Sequence, residues 1–322
     1  MSEQQATVIA VDVGGTFTKV AAVNRAGEAV AGDAPPTPVD LGGRGVTLWL
    51  ADLVRDWADR HAGAGFCVAV PGIIANGFCH MAANIGWRDE PLQDLLRDQT
   101  GLPGIVTQDV RAAGWAEWRV GAGRGCDSML FMPLGTGIAG AVVVDGTMIV
   151  ADGYAGEIGH MPVPVAGDRA CACGAVGCLE AWSSAASVRR RHTEAGGDPD
   201  WTTAQIADAA RSGDALAARI IDEAALGLAQ ALYYNQAMLG SAKVVIGGGM
   251  SGAFDLLAPR ITEELSSLVS FHRMPELVVA ELGSRSGQVG AALLGWDAID
   301  AATGQQPAPG KTQQGRHHDP VG

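Results

Sequence analysis

A two-domain α/β fold with a metal-clamped loop is what this sequence predicts, and three observations predict it. Residues 7–12, the tip Gly14-Gly15-Thr16 and residues 19–23 read as strand, glycine turn, strand, and residues 129–134, Gly135-Thr136-Gly137 and 138–144 repeat that plan, as duplicated halves would. At 322 residues and 33.0 kDa, with 48% hydrophobic residues, the chain is globular and long enough for two cores. The third observation is Glu157-Ile-Gly-His160, ten further residues, then Cys171-Ala-Cys173-Gly-Ala-Val-Gly177-Cys178-Leu-Glu180. Three cysteines and one histidine, with glycines where a loop must fold tightly around an ion, match the Cys₃His ligand set of structural Zn²⁺. Four protein ligands, His160, Cys171, Cys173 and Cys178, leave no open coordination position. The ion is therefore expected to clamp the loop, and the chemistry is to be sought in the residues it holds, Glu157, His160 and Glu180. The rival reading, cysteines packed as small hydrophobes, fits poorly because a core strand or helix would not place two glycines there.

Charge and composition exclude several classes. A net charge of -13, from 22 basic against 35 acidic residues, argues against nucleic acid as a partner, since phosphate-backbone binding rests on clustered Lys and Arg. The longest apolar region, residues 129–144, is interrupted by Pro133, Gly135, Gly137 and Gly140, so no membrane span is expected. Acidic Glu3 and the lack of an apolar run before Thr7 do not resemble a secretory signal, which makes the cytoplasm and reduced cysteines the expectation. Cys67, Cys79 and Cys126, outside the loop, read as core fillers.

Taken in order, the first hairpin presents backbone amides that glycines let approach phosphate oxygens; the Thr16 hydroxyl adds a donor, and Asp12 at the strand end can hold Mg²⁺ through water. A plain turn remains the alternative. Val46, Trp49, Leu50, Leu53, Val54, Trp57 and His61 recur at three and four residues, an amphipathic helix. Residues 66–70 are a buried strand closed by Pro71-Gly72, and a loop through Asn84 and Trp87 leads to a helix opened by Pro91. By its residue type alone Asn84 reads as a turn residue bonding its own backbone, the alternative to the role that the resemblance below implies for it. Strand 104–108 ends at Asp109, followed by helix 110–120; an aspartate there is commonly an N-cap, but facing a cleft it can take the proton of an attacking hydroxyl. Beyond the cysteine loop, residues 179–192, 202–210 and 215–239 read as helices, strand 243–246 ends in Gly247-Gly248-Gly249, and strand 277–280 and helix 288–299 close the fold. The domains are expected at residues 1–110, completed by a helix near 286–301, and at 111–285. The Gln-, Pro-, Gly- and His-rich stretch 302–322 is expected to be disordered.

Glu-x-Gly-His followed by Cys-x-Cys-Gly-x-x-Gly-Cys-x-Glu resembles the signature of the ROK family, which contains bacterial sugar kinases, glucokinases among them, and sugar-responsive repressors. The resemblance runs from about Thr7 to Asp300. It implies an actin-like ATPase (ribonuclease H-like) fold, with ATP phosphates bound by Asp12, Gly14, Gly15 and Thr16 and by Gly135, Thr136 and Gly137, and adenosine lying on Gly247, Gly248 and Gly249. It implies Asp109 as catalytic base, with Asn84, Gln108, Asp109, Glu157, His160 and Glu180 binding a hexose, and a homo-oligomer, dimer or tetramer. His160 has two ring nitrogens, one for zinc and one for a sugar hydroxyl. The family pattern Asn-Asp-x-Asn-Ala around the base is altered here, with Gln108 for the first Asn and Arg111 for the second. Only six residues precede the first strand, whereas the repressors carry an N-terminal helix-turn-helix, so the kinase branch is expected. The resemblance thus implies ATP-dependent phosphorylation of a hexose 6-hydroxyl, glucose first. The alternatives are another hexose, an N-acetylhexosamine, or a non-catalytic sugar sensor.

Overall fold

The computed structural model describes residues 6–304. The chain opens with the meander β1 (Thr7–Val13), β2 (Thr18–Asn24) and β3 (Ala29–Asp33), then helix α1 (Gly42–His61) and β4 (Gly63–Val70). Three short strands follow, β5 (Ile73–Ala75), β6 (Phe78–Ala82) and β7 (Trp87–Glu90), then α2 (Leu92–Thr100), β8 (Gly104–Gln108) and α3 (Asp109–Val120). The second half begins with the meander β9 (Met129–Pro133), β10 (Ala141–Val144) and β11 (Thr147–Met148). Helices α4 (Leu179–Ser183), α5 (Ala185–Glu194), α6 (Thr203–Arg211) and α7 (Ala215–Met238) lead to β12 (Lys243–Gly247), α8 (Phe254–Leu268), β13 (Glu276–Val279) and α9 (Ser286–Thr303).

The two large sheets have one plan. Their strand orders are β3-β2-β1-β4-β8 and β11-β10-β9-β12-β13. In each, an antiparallel meander supplies three strands and two parallel strands are added through crossovers, β4 and β8 in the first and β12 and β13 in the second. β1 is buried on both faces, as its unbroken β-branched run requires: Ile9, Val11 and Val13 pack with Leu50 and Val54 of α1, and Val8 and Ala10 with Ala291 and Trp296 of α9. In the second sheet Leu130 and Met132 pack with Leu228 and Leu232 of α7 and Leu257 of α8. α3 joins the halves, since Ala112 packs with α9 and Ala113 with Met129, Phe131 and Ala141 of the second sheet.

Three expectations change. The stretch between β4 and α2 is not all loop but the antiparallel sheet β5-β6-β7. The helix expected over 179–192 breaks at Ser184, which is extended and caps α5 by accepting from Ser187 N at 3.2 Å. α9 continues to Thr303 and ends at Gly304, so the stretch expected to be disordered from 302 begins as helix, and residues 305–322 lie outside the described residues.

Candidate active site

The first hairpin is anchored from below and open above. Asp12 pairs in register with Lys19. The Gly14 N–H donates to Phe17 O at 2.9 Å, and Thr37 ties the turn twice, its Oγ1 donating to Gly14 O at 2.7 Å and its N–H to Thr16 O at 2.9 Å. Gly15 and Thr16 remain exposed at the tip. Burial pushes the Asp12 carboxyl up from its ordinary value, and Lys19, with Nζ 3.6 Å from Oδ2, pulls it back. Asn84 lies in the β6–β7 connection, its Nδ2 3.6 Å from where a Cβ on Gly15 would be, and its side chain makes no hydrogen bond among the described residues. It therefore stands free beside the hairpin and is not bonding its own turn.

The second hairpin and the third glycine loop share an edge. Gly135 N–H donates to Gly137 O at 3.0 Å, while Leu134 donates to Gly247 O at 2.9 Å and accepts from Met250 N at 3.0 Å. Gly248 has φ +74, and a Cβ there would press on the Leu134 backbone, so only glycine permits this approach. Gly247 is buried and Gly249 exposed. Glu180, near the start of α4, accepts from Ile138 N at 2.9 Å, so one of its oxygens is committed to this hairpin.

Glu157 and His160 are laid on the same hairpin by the two glycines around them. A Cβ on Gly156 would overlap Gly140 O, and one on Gly159 would overlap Ile138 O. Burial pushes Glu157 up, His160 pulls it down, Glu180 pushes it up and Arg111 pulls it down, so these four side chains share one electrostatic neighbourhood. The His160 Nδ1 is 3.7 Å from Cys171 Sγ, Cys173 Sγ is 3.7 Å from Cys178 Sγ, and the four ligand atoms all lie within 4.8 Å of one another. Tetrahedral zinc with Zn–S of about 2.3 Å sets neighbouring sulfurs roughly 3.8 Å apart, whereas a disulfide needs about 2.05 Å. The four residues fit zinc. The other ring nitrogen of His160, Nε2, points toward Glu157, 3.9 Å from Oε2.

Asp109 is the first residue of α3 and not its cap. The cap is Gln108, buried, whose Oε1 accepts from Arg111 N at 2.9 Å, so the Asp109 carboxylate is not needed to cap the helix. The protein around Asp109 raises its pKa to about 6, chiefly by desolvation; the Val110 N–H, donating to Oδ1 at 2.7 Å, opposes this, the Asp12 charge adds to it and Arg111 opposes it. Arg111 is only 6% exposed. Its Nη2 donates to Ile74 O, and its Nη1 has no partner among the described residues. Further along α3, Glu117 accepts from the N–H groups of Ala122, Glu281 and Leu282 at 3.0, 3.1 and 2.8 Å.

The sequence candidates thus form one connected set: Asn84 beside the first hairpin, Asp12 within electrostatic reach of Asp109, Arg111 within electrostatic reach of both Asp109 and Glu157, and Glu180 on the second hairpin. Two neighbours were missed. Lys19 was legible as the residue opposite Asp12 once the hairpin register is drawn. The start of α9, where a Cβ on Gly287 would be 2.8 Å from Asp12 Oδ2, had no local signal.

Two sheets of one plan, each presenting a glycine hairpin and with acidic side chains between them, make this a two-domain actin-like ATPase fold. The chain belongs to the ROK family, whose profile matches residues 8–298. It is 36% identical over 313 residues to a glucokinase of Halalkalibacterium halodurans, covering 89% of this chain and 93% of that protein. It is 32% identical over 292 residues to an N-acetylmannosamine kinase of Yersinia pestis, covering 88% and 97%. Among solved structures it resembles a ROK glucokinase of Streptomyces griseus in complex with glucose and AMPPNP, with a TM-score of 0.76 and 28% identity over 90% of this chain and 99% of that one. No helix among the described residues is long and apolar enough to cross a membrane.

Proposed function

We propose that this protein is an ATP-dependent hexose kinase that phosphorylates glucose at its 6-hydroxyl. The observation that carries the reading is Asp109: a carboxylate at the start of α3, freed from capping by Gln108, with a pKa raised to about 6 and in the electrostatic field of Asp12 and Arg111. A base poised near neutrality takes the proton of the 6-hydroxyl as its oxygen attacks the γ-phosphorus; the bond from phosphorus to the β,γ-bridging oxygen breaks and ADP leaves. The amides at Gly14, Gly15 and Thr16 and at Gly135, Thr136 and Gly137 hold the phosphates, and Gly247, Gly248 and Gly249 the adenosine. When bound, Mg²⁺ would neutralise phosphate charge, with Asp12 as the residue that holds it through water. Glu157, His160 Nε2, the free oxygen of Glu180, Asn84 and the Gln108 Nε2 orient the sugar hydroxyls. His160, Cys171, Cys173 and Cys178 would hold zinc, which when bound would clamp the loop of the 157–180 segment. In this reading residues 1–110 with α9 form one lobe, residues 111–285 the other, and the protein is a cytoplasmic dimer or tetramer; the family resemblance supports these last points.

An N-acetylhexosamine is the second acceptor to consider, because the chain is 32% identical to an N-acetylmannosamine kinase. A coupled assay across glucose, mannose, fructose, N-acetylglucosamine and N-acetylmannosamine tests both. The highest kcat/KM is expected with glucose. Phosphorylation of none of them would leave a sugar sensor and overturn the kinase reading.

A further inference from the structure

We propose that Arg111 is a positioning residue for phosphoryl transfer, tying the helix that begins at Asp109 to the β5–β7 sheet and holding a positive charge beside the base. The inference rests on the reading of Asp109 as base. Arg111 is the third residue of α3, and its Nη2 bond to Ile74 O reaches into β5 from a helix that packs on the second sheet. The sheet it grips is the one whose β6–β7 connection carries Asn84. The gripped backbone is also backed by the other half of the molecule, because a Cβ on Gly153 would be 2.8 Å from Ile74 O. One side chain thus holds base, sugar amide and second-half backbone in a common register.

A guanidinium this buried is costly unless carboxylates offset it, and burial does pull its pKa down while Asp109 and Glu157 hold it up. An asparagine, the family residue, could bond a nearby carbonyl but would bring no charge. The groups facing Asp109 are Asp12 on β1, with Lys19 of β2 paired to it, the Val110 N–H, and Arg111 on α3 itself. Of these, Arg111 favours the ionised carboxylate. Removing its charge raises the pKa of Asp109, and since the base acts deprotonated, the acid limb of the rate profile moves to higher pH.

The test compares the pH dependence of kcat/KM for glucose, at saturating MgATP, in the full-length wild type, Arg111→Met, Arg111→Lys and Asp109→Asn. The Met variant is expected to shift the acid limb to higher pH, with the loss of rate greatest on the acid side. The Lys variant should keep the wild-type limb. Arg111→Gln, neutral but able to donate to Ile74 O, takes the place of the Met variant if that one does not fold. A limb that stays in place on loss of the charge overturns the proposal, whatever happens to KM, and so does a Lys variant that shifts as far as the Met one. Substantial turnover in Asp109→Asn would instead defeat the base assignment itself, and that outcome is distinct from either of these.

Discussion

Asp109 titrates in the wrong direction for stability and in the right one for catalysis. Its folded pKa, raised to about 6, lies above the ordinary carboxylate value of 3.8, so the folded state binds the proton more tightly than the unfolded one. The contribution to stability is therefore full below pH 4 and is lost as pH rises toward and through 6. Asp109→Asn, neutral at every pH, should then melt at a higher temperature than wild type at pH 8 and lose that advantage at pH 4, as differential scanning calorimetry would read. Equal melting temperatures at pH 8 would mean that the carboxylate is not strained by its surroundings. In the wild type, kcat/KM for glucose should rise with pH through about 6, the value that Asp109 carries. Its place at a strand-to-helix junction was visible in the chain, but which of two adjacent polar residues caps the helix was not. Gln108 is a poor cap by type, and its longer side chain reaches Arg111 N only because β8 delivers it in extended conformation.

Two glycine contacts and the buried side chains of Ile158, Val163, Ala166 and Leu179, which join the core of the second half, hold the ends of the segment from Glu157 to Glu180, and zinc on His160, Cys171, Cys173 and Cys178 would clamp the loop between them. Cys173→Ser should lose zinc, read by metal analysis, and residues 167–179 should exchange amide hydrogens faster; full metal content with unchanged glucose affinity would contradict the clamp. Glu180 links that segment to the second hairpin. Glu180→Ala leaves the Ile138 N–H without its partner, so it should cost about 1–3 kcal/mol of stability in denaturant melts and weaken ATP as well as glucose; loss of glucose affinity alone would mean that the hairpin tie is idle. Elements of this scale were unevenly legible. Both glycine hairpins, the ligand spacing of the knot and the periodic helix α1 could be read directly, because each has a strong local period or a residue type with one use. The β5–β7 sheet could not, since strands of three to five residues are too short to show alternation. Neither could the break at Ser184, where a side-chain cap and not Gly or Pro ends one helix and starts the next. The partner of Arg111 was invisible for a simpler reason: Ile74 lies 37 residues away and offers only its backbone.

At the scale of the whole molecule, duplication explains why the site lies where it does. Each sheet contributes one antiparallel hairpin with a glycine tip, and α3, wedged between α9 and the second sheet, carries the base between them. The repeated hairpins announced this plan in the sequence, whereas the pairing of β9 with β12, more than a hundred residues on, came only from the structure. An acidic protein that must bind a polyanion depends on backbone amides and a few cations at those tips, so the nonhydrolysable analogue AMPPNP with Mg²⁺ should raise the melting temperature in wild type, and more so with glucose present. The most direct measurement is ³¹P NMR of glucose with MgATP, in the presence of the wild type and, separately, of Asp109→Asn. The account predicts conversion to glucose 6-phosphate and ADP by the wild type and a rate lower by roughly 10²-fold or more in the variant, with glucose binding kept; equal rates in the two proteins, or no sugar phosphate from the wild type, would contradict it.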